Sequence, residues 1–352
     1  MAEKAKLHHL RFRPHFKTHQ SRAIGQWFRE AGVDAITVSS LGMAAYFAPD
    51  WKDITVAFPT NILEMNRIEK LARDIQLNLL VESQEVATYL QEHLSHSVGI
   101  FLKIDVGYHR TGLSPTDQQQ IESILKVLDQ SPKLHFKGWL GHTGHTYSCR
   151  DTACIRSRHQ QACEVMGTLQ STYSNRYPDA IVSLGDTPSC SVSDSFPHVD
   201  EIRPGNFVFY DLTQRHIGSN DCDQIAVAMA CPIVAIHKDR NECVVYGGGV
   251  HFSKDRLVQG DNSLLWGQVV RSTATGWGTP IEGMYLRSLS QEHGIVKVPH
   301  EEMPKLRVGD TLLVLPVHSC MTVACMRQYR ALDGKTISCW DGRSSDEGLL
   351  LQ

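Results

Sequence analysis

The most reactive-looking residue near the start of the chain is Lys17, in the segment RPHFKTH, where histidines 15 and 19 stand either side of it. An ε-amine among cationic neighbours is an activated nucleophile or base once it loses solvent. A second candidate pair is His318 and Cys320 in LLVLPVHSCMTV. The segment reads as a strand, and on a strand two residues at i and i+2 share a face, so both side chains would converge. Imidazole with thiolate selects zinc over hard cations, and two protein ligands leave positions open for water or substrate. In isolation a His-x-Cys is more often a buried cysteine beside a satisfied histidine. Further groups lie in DVGYHRTG (Arg110), GHTGHTY (His145 and Tyr147), SLGDTPS (Gly185 and Thr187) and RPGNFVFYD (Gly205, Asn206 and Tyr210). The glycines allow backbone N–H groups to approach an anion, and the hydroxyls add donors.

These segments must be positioned by something, and the chain preceding residue 216 repeats a short apolar run, a turn and a longer amphipathic stretch. That is the rhythm of βα units. The strand candidates are LRFRPH, AITVSS, ITVAFP, NLLVES, VGIFLKID, LHFKGWLG, AIVSLG and DEIRPG, which predict an α/β fold: a (β/α)8 TIM barrel over residues 1–215. Residues 216–352 lose the helical patterns and predict a mainly antiparallel β domain, with strands in QIAVAMACPIVAIH, ECVVYGGG, GIVKV, DTLLVLPVHSC, MTVACMRQYRAL and KTISCW. The stretch QGDNSLLWGQVVRSTATGWGTPIEGM has no readable period. YGGGVHFSKD lacks the spacing of either a P-loop or a dinucleotide fingerprint and reads as a turn.

Barrel enzymes keep their chemistry at the C-terminal ends of the strands, and phosphate sites there use the loops after strands seven and eight. Lys17 follows strand one, Arg110 strand five, His145 and Tyr147 strand six, and the two glycine-bearing loops strands seven and eight. A lysine, a phosphate cradle and an arginine between them suggest a pyridoxal phosphate site with Lys17 as its Schiff-base lysine. Composition narrows the partners. A net charge of -3 and 21% charged residues give no basic excess of the kind that binds nucleic acid. No apolar run reaches the length of a membrane span, and MAEKAKLHHL lacks a signal peptide's apolar stretch, so a cytoplasmic chain acting on a small molecule is expected. The ten cysteines form no short-domain framework and are expected to be reduced thiols.

In that order, RPHFKTH, DVGYHRTG, GHTGHTY, SLGDTPS and EIRPGNFVFYD resemble the alanine-racemase-type, fold type III pyridoxal phosphate enzymes, and within them the D-serine dehydratase and D-threonine aldolase family. The resemblance implies that Lys17 binds the cofactor and takes the α-proton of a D-amino acid. It places Arg110 near the cofactor ring, His145 and Tyr147 in a loop beside it, and Gly185, Thr187, Gly205, Asn206 and Tyr210 on its phosphate side. It makes His318 and Cys320 the metal position, and the cysteine favours the dehydratase branch, since aldolases resemble His-x-Asp there. His293 matches a segment that supports this site.

The implied reaction is zinc-assisted loss of water from D-serine, giving pyruvate and ammonia. Alternatives are retro-aldol cleavage to glycine and an aldehyde, racemisation, or a non-catalytic pyridoxal phosphate carrier. Relatives often pair as homodimers. They also begin about twenty residues earlier with a strand that packs into the C-terminal domain, so an exposed sheet edge is expected here.

Overall fold

A computed structural model describes residues 1–342. It divides into two compact units, one of Met1–Lys17, Ser21–Gly205 and the chain from Trp340, the other of Thr18–Gln20 and Asn206–Cys339.

The first unit contains the eight expected strands: β1 (Arg11–Phe12), β2 (Ile36–Val38), β3 (Asp53–Pro59), β4 (Gln76–Val81), β5 (Val98–Lys103), β6 (Leu134–Leu140), β7 (Ile181–Ser183) and β8 (Glu201–Ile202). All pairings are parallel, in the order β1-β8-β7-β6-β5-β4-β3-β2, and a parallel bridge from His15 to Thr37 closes the ring. Strands such as β4 and β5 are buried almost throughout, as parallel strands covered on both faces must be. α1 (Ala2–Leu7) precedes β1, and between the strands run α2 (Arg22–Glu30), α3 (Leu41–Phe47), α4 (Met65–Asp74), α5 (Gln84–His93), α6 (Gln118–Gln130), α7 (Thr152–Tyr173) and α8 (Thr187–Val192). Their starts follow from side-chain caps: Ser40, Ser83, Asp117, Asp151 and Asp186 each accept a backbone N–H from the first turn.

One glycine is required by the sheet itself. Gly138 in β6 has φ +136°, and a Cβ there would lie 2.0 Å from the Ile181 carbonyl oxygen of β7. The barrel interior carries a polar group: Arg13 donates to Glu201 Oε2 at 2.7 Å and to Asp53 Oδ1 at 2.7 Å, and Asn78 Nδ2 donates to the same Asp53 oxygen at 2.8 Å.

The second unit begins with α9 (Leu212–His216) and builds six antiparallel strands, β9 (Met229–His237), β10 (Glu242–Tyr246), β13 (Gly267–Thr273), β14 (Gly276–Leu289), β15 (His293–Lys297) and β16 (Thr311–Pro316). A short ribbon of β11 (Leu257–Val258) and β12 (Leu264–Leu265) precedes β13. The six strands close in the order β10-β15-β14-β13-β16-β9, so the open sheet edge expected from the sequence is absent among the described residues. Cys231, Cys243, Val245, Val269, Leu286, Val296 and Val314 fill the inside of this barrel.

The stretch without a readable period becomes the ribbon and the β13–β14 hairpin. Register shifts at Gln268/Val270 and Val270/Ser272 break the alternation that a sequence reading relies on. YGGGVHFSKD folds into a short helix, α10 (Gly249–Phe252). MTVACM, read as part of a strand, lies instead in α11 (Ser319–Met326), after which β17 (Gln328–Arg330) and β18 (Thr336–Ser338) pair.

Candidate active site

Lys17 lies past the end of β1, where the backbone has already bridged to Thr37 through His15, and its amide donates to His15 Nδ1 at 3.3 Å. Its side chain is exposed, which corrects the expectation that the fold itself desolvates it: β1 is two residues long, and Lys17 stands in the turn beyond it.

The charge environment at this end of the barrel is read most directly from His142, which follows β6. Its imidazole is pushed well below its ordinary pKa, by burial first and then by the positive charges of Lys17, Arg203, Arg110 and Lys103. The structure therefore brings Lys17 and Arg110 into one field with two cations that the sequence reading passed over. Arg203 is buried and donates to Ser183 Oγ at 2.7 Å and to the Gly141 carbonyl, and burial lowers it to about 10. Lys103, also buried, donates to the Ile104 carbonyl at 2.9 Å; burial, helped by Arg203, brings it down to about 8. Both had a signal in the sequence, being charged residues at the ends of apolar strand segments.

Arg110 is exposed and stacks over the Tyr108 ring at 4.9 Å, in a loop where Asp105 Oδ1 accepts the amides of residues 107, 108 and 109. His145 and Tyr147 share a 3-10 turn, Gly144–Ser148. His145 Nδ1 is buried without a partner, while its carbonyl accepts from Arg158 and Ser148. Burial lowers the His145 pKa, and Arg158 adds to it. Thr146 ties the turn to Asp186, the cap of α8. Cys149, just past the turn, is bonded to Cys154 in the first turn of α7, which corrects the expectation of ten reduced thiols; the other eight are free. A sequence separation of five and a Cα–Cα distance of 5.7 Å bring the two sulfurs into bonding range.

Gly185, Thr187 and Gly205 come together after β7 and β8: the Gly205 amide donates to Thr187 Oγ1 at 3.3 Å. Gly185 has φ +149°, and a Cβ there would sit 2.9 Å from Cys190 Sγ. A glycine-built cradle with a hydroxyl, at the barrel end where four cations bear on His142, fits a cofactor that carries a phosphate. Asn206 and Tyr210 belong to the second unit. The Asn206 amide is committed there, donating to Asp211 Oδ2 at 2.7 Å, Ser319 Oγ at 3.0 Å and Cys320 Sγ at 3.4 Å. Tyr210 turns with φ +51°, its amide on the Asn206 carbonyl.

His318 and Cys320 are brought together, though not by a strand. β16 ends at Pro316, His318 caps α11, and Cys320 lies in its first turn. His318 Nδ1 is 3.2 Å from Asp255 Oδ2. Burial disfavours the imidazolium, but Asp255, a side-chain hydrogen bond with Cys320 and the charge of Asp211 outweigh it, pushing His318 up to about 10. Thr18 Oγ1, one residue after Lys17, is 3.2 Å from Cys320 Sγ. Among the described residues no group of three or more histidine, cysteine, aspartate or glutamate side chains is placed to hold a metal ion. His293 opens β15 and is exposed; the carboxylate that hydrogen-bonds His318 is that of Asp255. No helix of the described residues is long and apolar enough to cross a membrane.

Residues 3–212 match the family model described as "Alanine racemase, N-terminal domain", and residues 226–332 the one described as "Putative serine dehydratase domain". The D-serine dehydratase of Dictyostelium discoideum is 28% identical over 95% of this chain and 89% of its own. The D-threo-3-hydroxyaspartate dehydratase of Delftia sp. (strain HT23) is 27% identical over 94% and 90%. Solved structures of a D-threo-3-hydroxyaspartate dehydratase, including a cysteine-to-alanine variant in the metal-free form, superpose with a TM-score of 0.88 at 26% identity, over 96% of this chain and 92% of theirs. The chain belongs to the family of alanine racemase N-terminal domain proteins.

Proposed function

We propose that this chain, a pyridoxal phosphate-dependent lyase, eliminates water from D-serine or a related β-hydroxy D-amino acid with the help of zinc, yielding pyruvate and ammonia from D-serine. The observation that carries this reading is the His318–Cys320 pair, side chains joined and braced by Asp255, in a chain that also presents Lys17 at a barrel-strand end. The histidine and the cysteine replaced in the solved hydroxyaspartate dehydratase variants are likewise two positions apart.

Bound pyridoxal phosphate supplies an electron sink that makes the substrate's α-C–H bond acidic. Lys17 would hold the cofactor through its ε-amine and would accept the substrate's α-proton at Nζ. Gly185, Thr187 and Gly205 would hold the phosphate, and Arg110 would supply positive charge to the cofactor ring. His142, held neutral by burial first and by the neighbouring positive charges after it, adds no charge to this cluster. A zinc ion held by His318 and Cys320 would supply Lewis acidity toward the β-hydroxyl, a poor leaving group on its own.

The test is product analysis with D-serine, D-threonine and their L-forms, with and without a chelator. Pyruvate from D-serine and 2-oxobutanoate from D-threonine, both abolished by the chelator, are expected. Glycine plus an aldehyde would overturn the elimination, and chelator-insensitive turnover would overturn the role of zinc. Lys17→Ala should lose the visible band of lysine-bound cofactor and turnover together; a retained band would overturn its assignment.

A further inference from the structure

A metal-ligating imidazole has to be aimed, since its ring can rotate and either nitrogen can carry the proton. Asp255 Oδ2 meets His318 Nδ1 at 3.2 Å, which turns that nitrogen toward the carboxylate and limits the ring's rotation. That oxygen is itself held in place, because Ser253 Oγ donates to it at 2.8 Å while accepting the Asp255 amide at 3.3 Å. Ser253 adopts φ +74°, a conformation that a serine takes only when its surroundings enforce it. The enforcement is visible: the Ser253 amide closes α10 on Gly249, and the Phe252 carbonyl accepts from Thr322 Oγ1 at 3.2 Å. The same Thr322 hydroxyl is 3.1 Å from the carbonyl oxygen of His318, so α10 and α11 share one anchor. Asp255 and His318 are 63 residues apart, yet their relative placement is fixed on both sides.

We infer that Asp255 is a positioning residue for the metal site, orienting His318 and raising its donor strength toward a divalent cation, with Ser253 locking the carboxylate. The inference rests on the zinc reading above. A carboxylate behind a ligating histidine typically contributes 10–100-fold in metal affinity. A purely structural ion pair would stabilise the fold and leave metal affinity alone.

The experiment compares cofactor-loaded wild-type protein with Asp255→Asn, Asp255→Glu and Ser253→Ala. Zinc per chain is measured by elemental analysis, the zinc dissociation constant by competition with a chromophoric chelator, and fold by thermal melting and the cofactor's absorption band. The expected result is a dissociation constant raised roughly 10–100-fold in Asp255→Asn, recovered in part by Asp255→Glu, and raised more modestly in Ser253→Ala, with the cofactor band retained. Wild-type zinc affinity in a folded Asp255→Asn protein would overturn the inference while leaving the zinc reading standing. If Asp255→Asn does not fold, unchanged affinity in Ser253→Ala overturns it in the same way. Wild-type protein that holds no zinc would overturn both.

Discussion

Lys103 is a buried cation whose partners include one carbonyl and a neighbouring arginine of like charge. Its folded value of about 8 lies below the ~10.4 of an unfolded chain, so between those values the unfolded state holds the extra proton. The cost to folding is therefore complete below about pH 8 and disappears toward ~10.4; it is on the order of 3 kcal/mol. Lys103→Met should accordingly melt at a higher temperature than wild type at pH 7, with the advantage shrinking by pH 9.5. Paired melts at the two pH values check this, and an advantage that grows with pH would contradict the assignment. At this scale the sequence made Lys17, Arg110, His318 and Cys320 legible, because each sits in a short segment next to a recognisable strand. Asp255 was not legible: it belongs to a loop, and its relation to His318 exists only after the chain has closed over 63 residues.

Among elements, strands such as β4 and β5 were readable because a parallel strand buried on both faces is a continuous apolar run bounded by turns. The β13–β14 hairpin was not, since its bulges replace strict alternation with local shifts in register. α11 was misread for a different reason. It continues the apolar character of β16 without a polar face, and only the turn after Pro316 separates the two. The short loop between β7 and α8 offers a direct test of how tightly an element holds the site. Gly185→Ala would force an L-residue to φ +149° and press a Cβ against Cys190 Sγ. We expect a loss of about 2 kcal/mol in stability, from strain and overpacking together, with weakened retention of pyridoxal phosphate measured by dialysis and absorbance. Retention equal to wild type would place the phosphate elsewhere.

At the scale of the whole molecule, the first barrel is held from inside by charge. Arg13 and Glu201 are both buried, and Asp53, held below the usual carboxylate range because Arg13 and Arg11 outweigh its burial, completes the group. Replacing one member strands the others, so Glu201→Gln should cost about 3 kcal/mol or more, read as a lowered denaturation midpoint. The Asp53 contribution is present above the ~3.9 of an unfolded aspartate and is lost as pH falls through its lower folded value. Asp53→Asn should thus flatten the acid limb of the stability profile, and an unchanged limb would refute it.

The two units are not consecutive lengths of chain. Thr18–Gln20 is counted with the second unit, where the Thr18 hydroxyl touches Cys320 and the His19 carbonyl receives the Tyr329 hydroxyl at 2.6 Å. Trp340 returns to the first, its ring 3.1 Å from where a Cβ on Gly42 would stand. A gene cut between Gly205 and Asn206 would therefore yield two pieces that each lack a strip of their own unit. Recombination that trades such halves between relatives has to carry three residues from near the start along with the C-terminal half, so the two units can be inherited or engineered only as an interlaced pair.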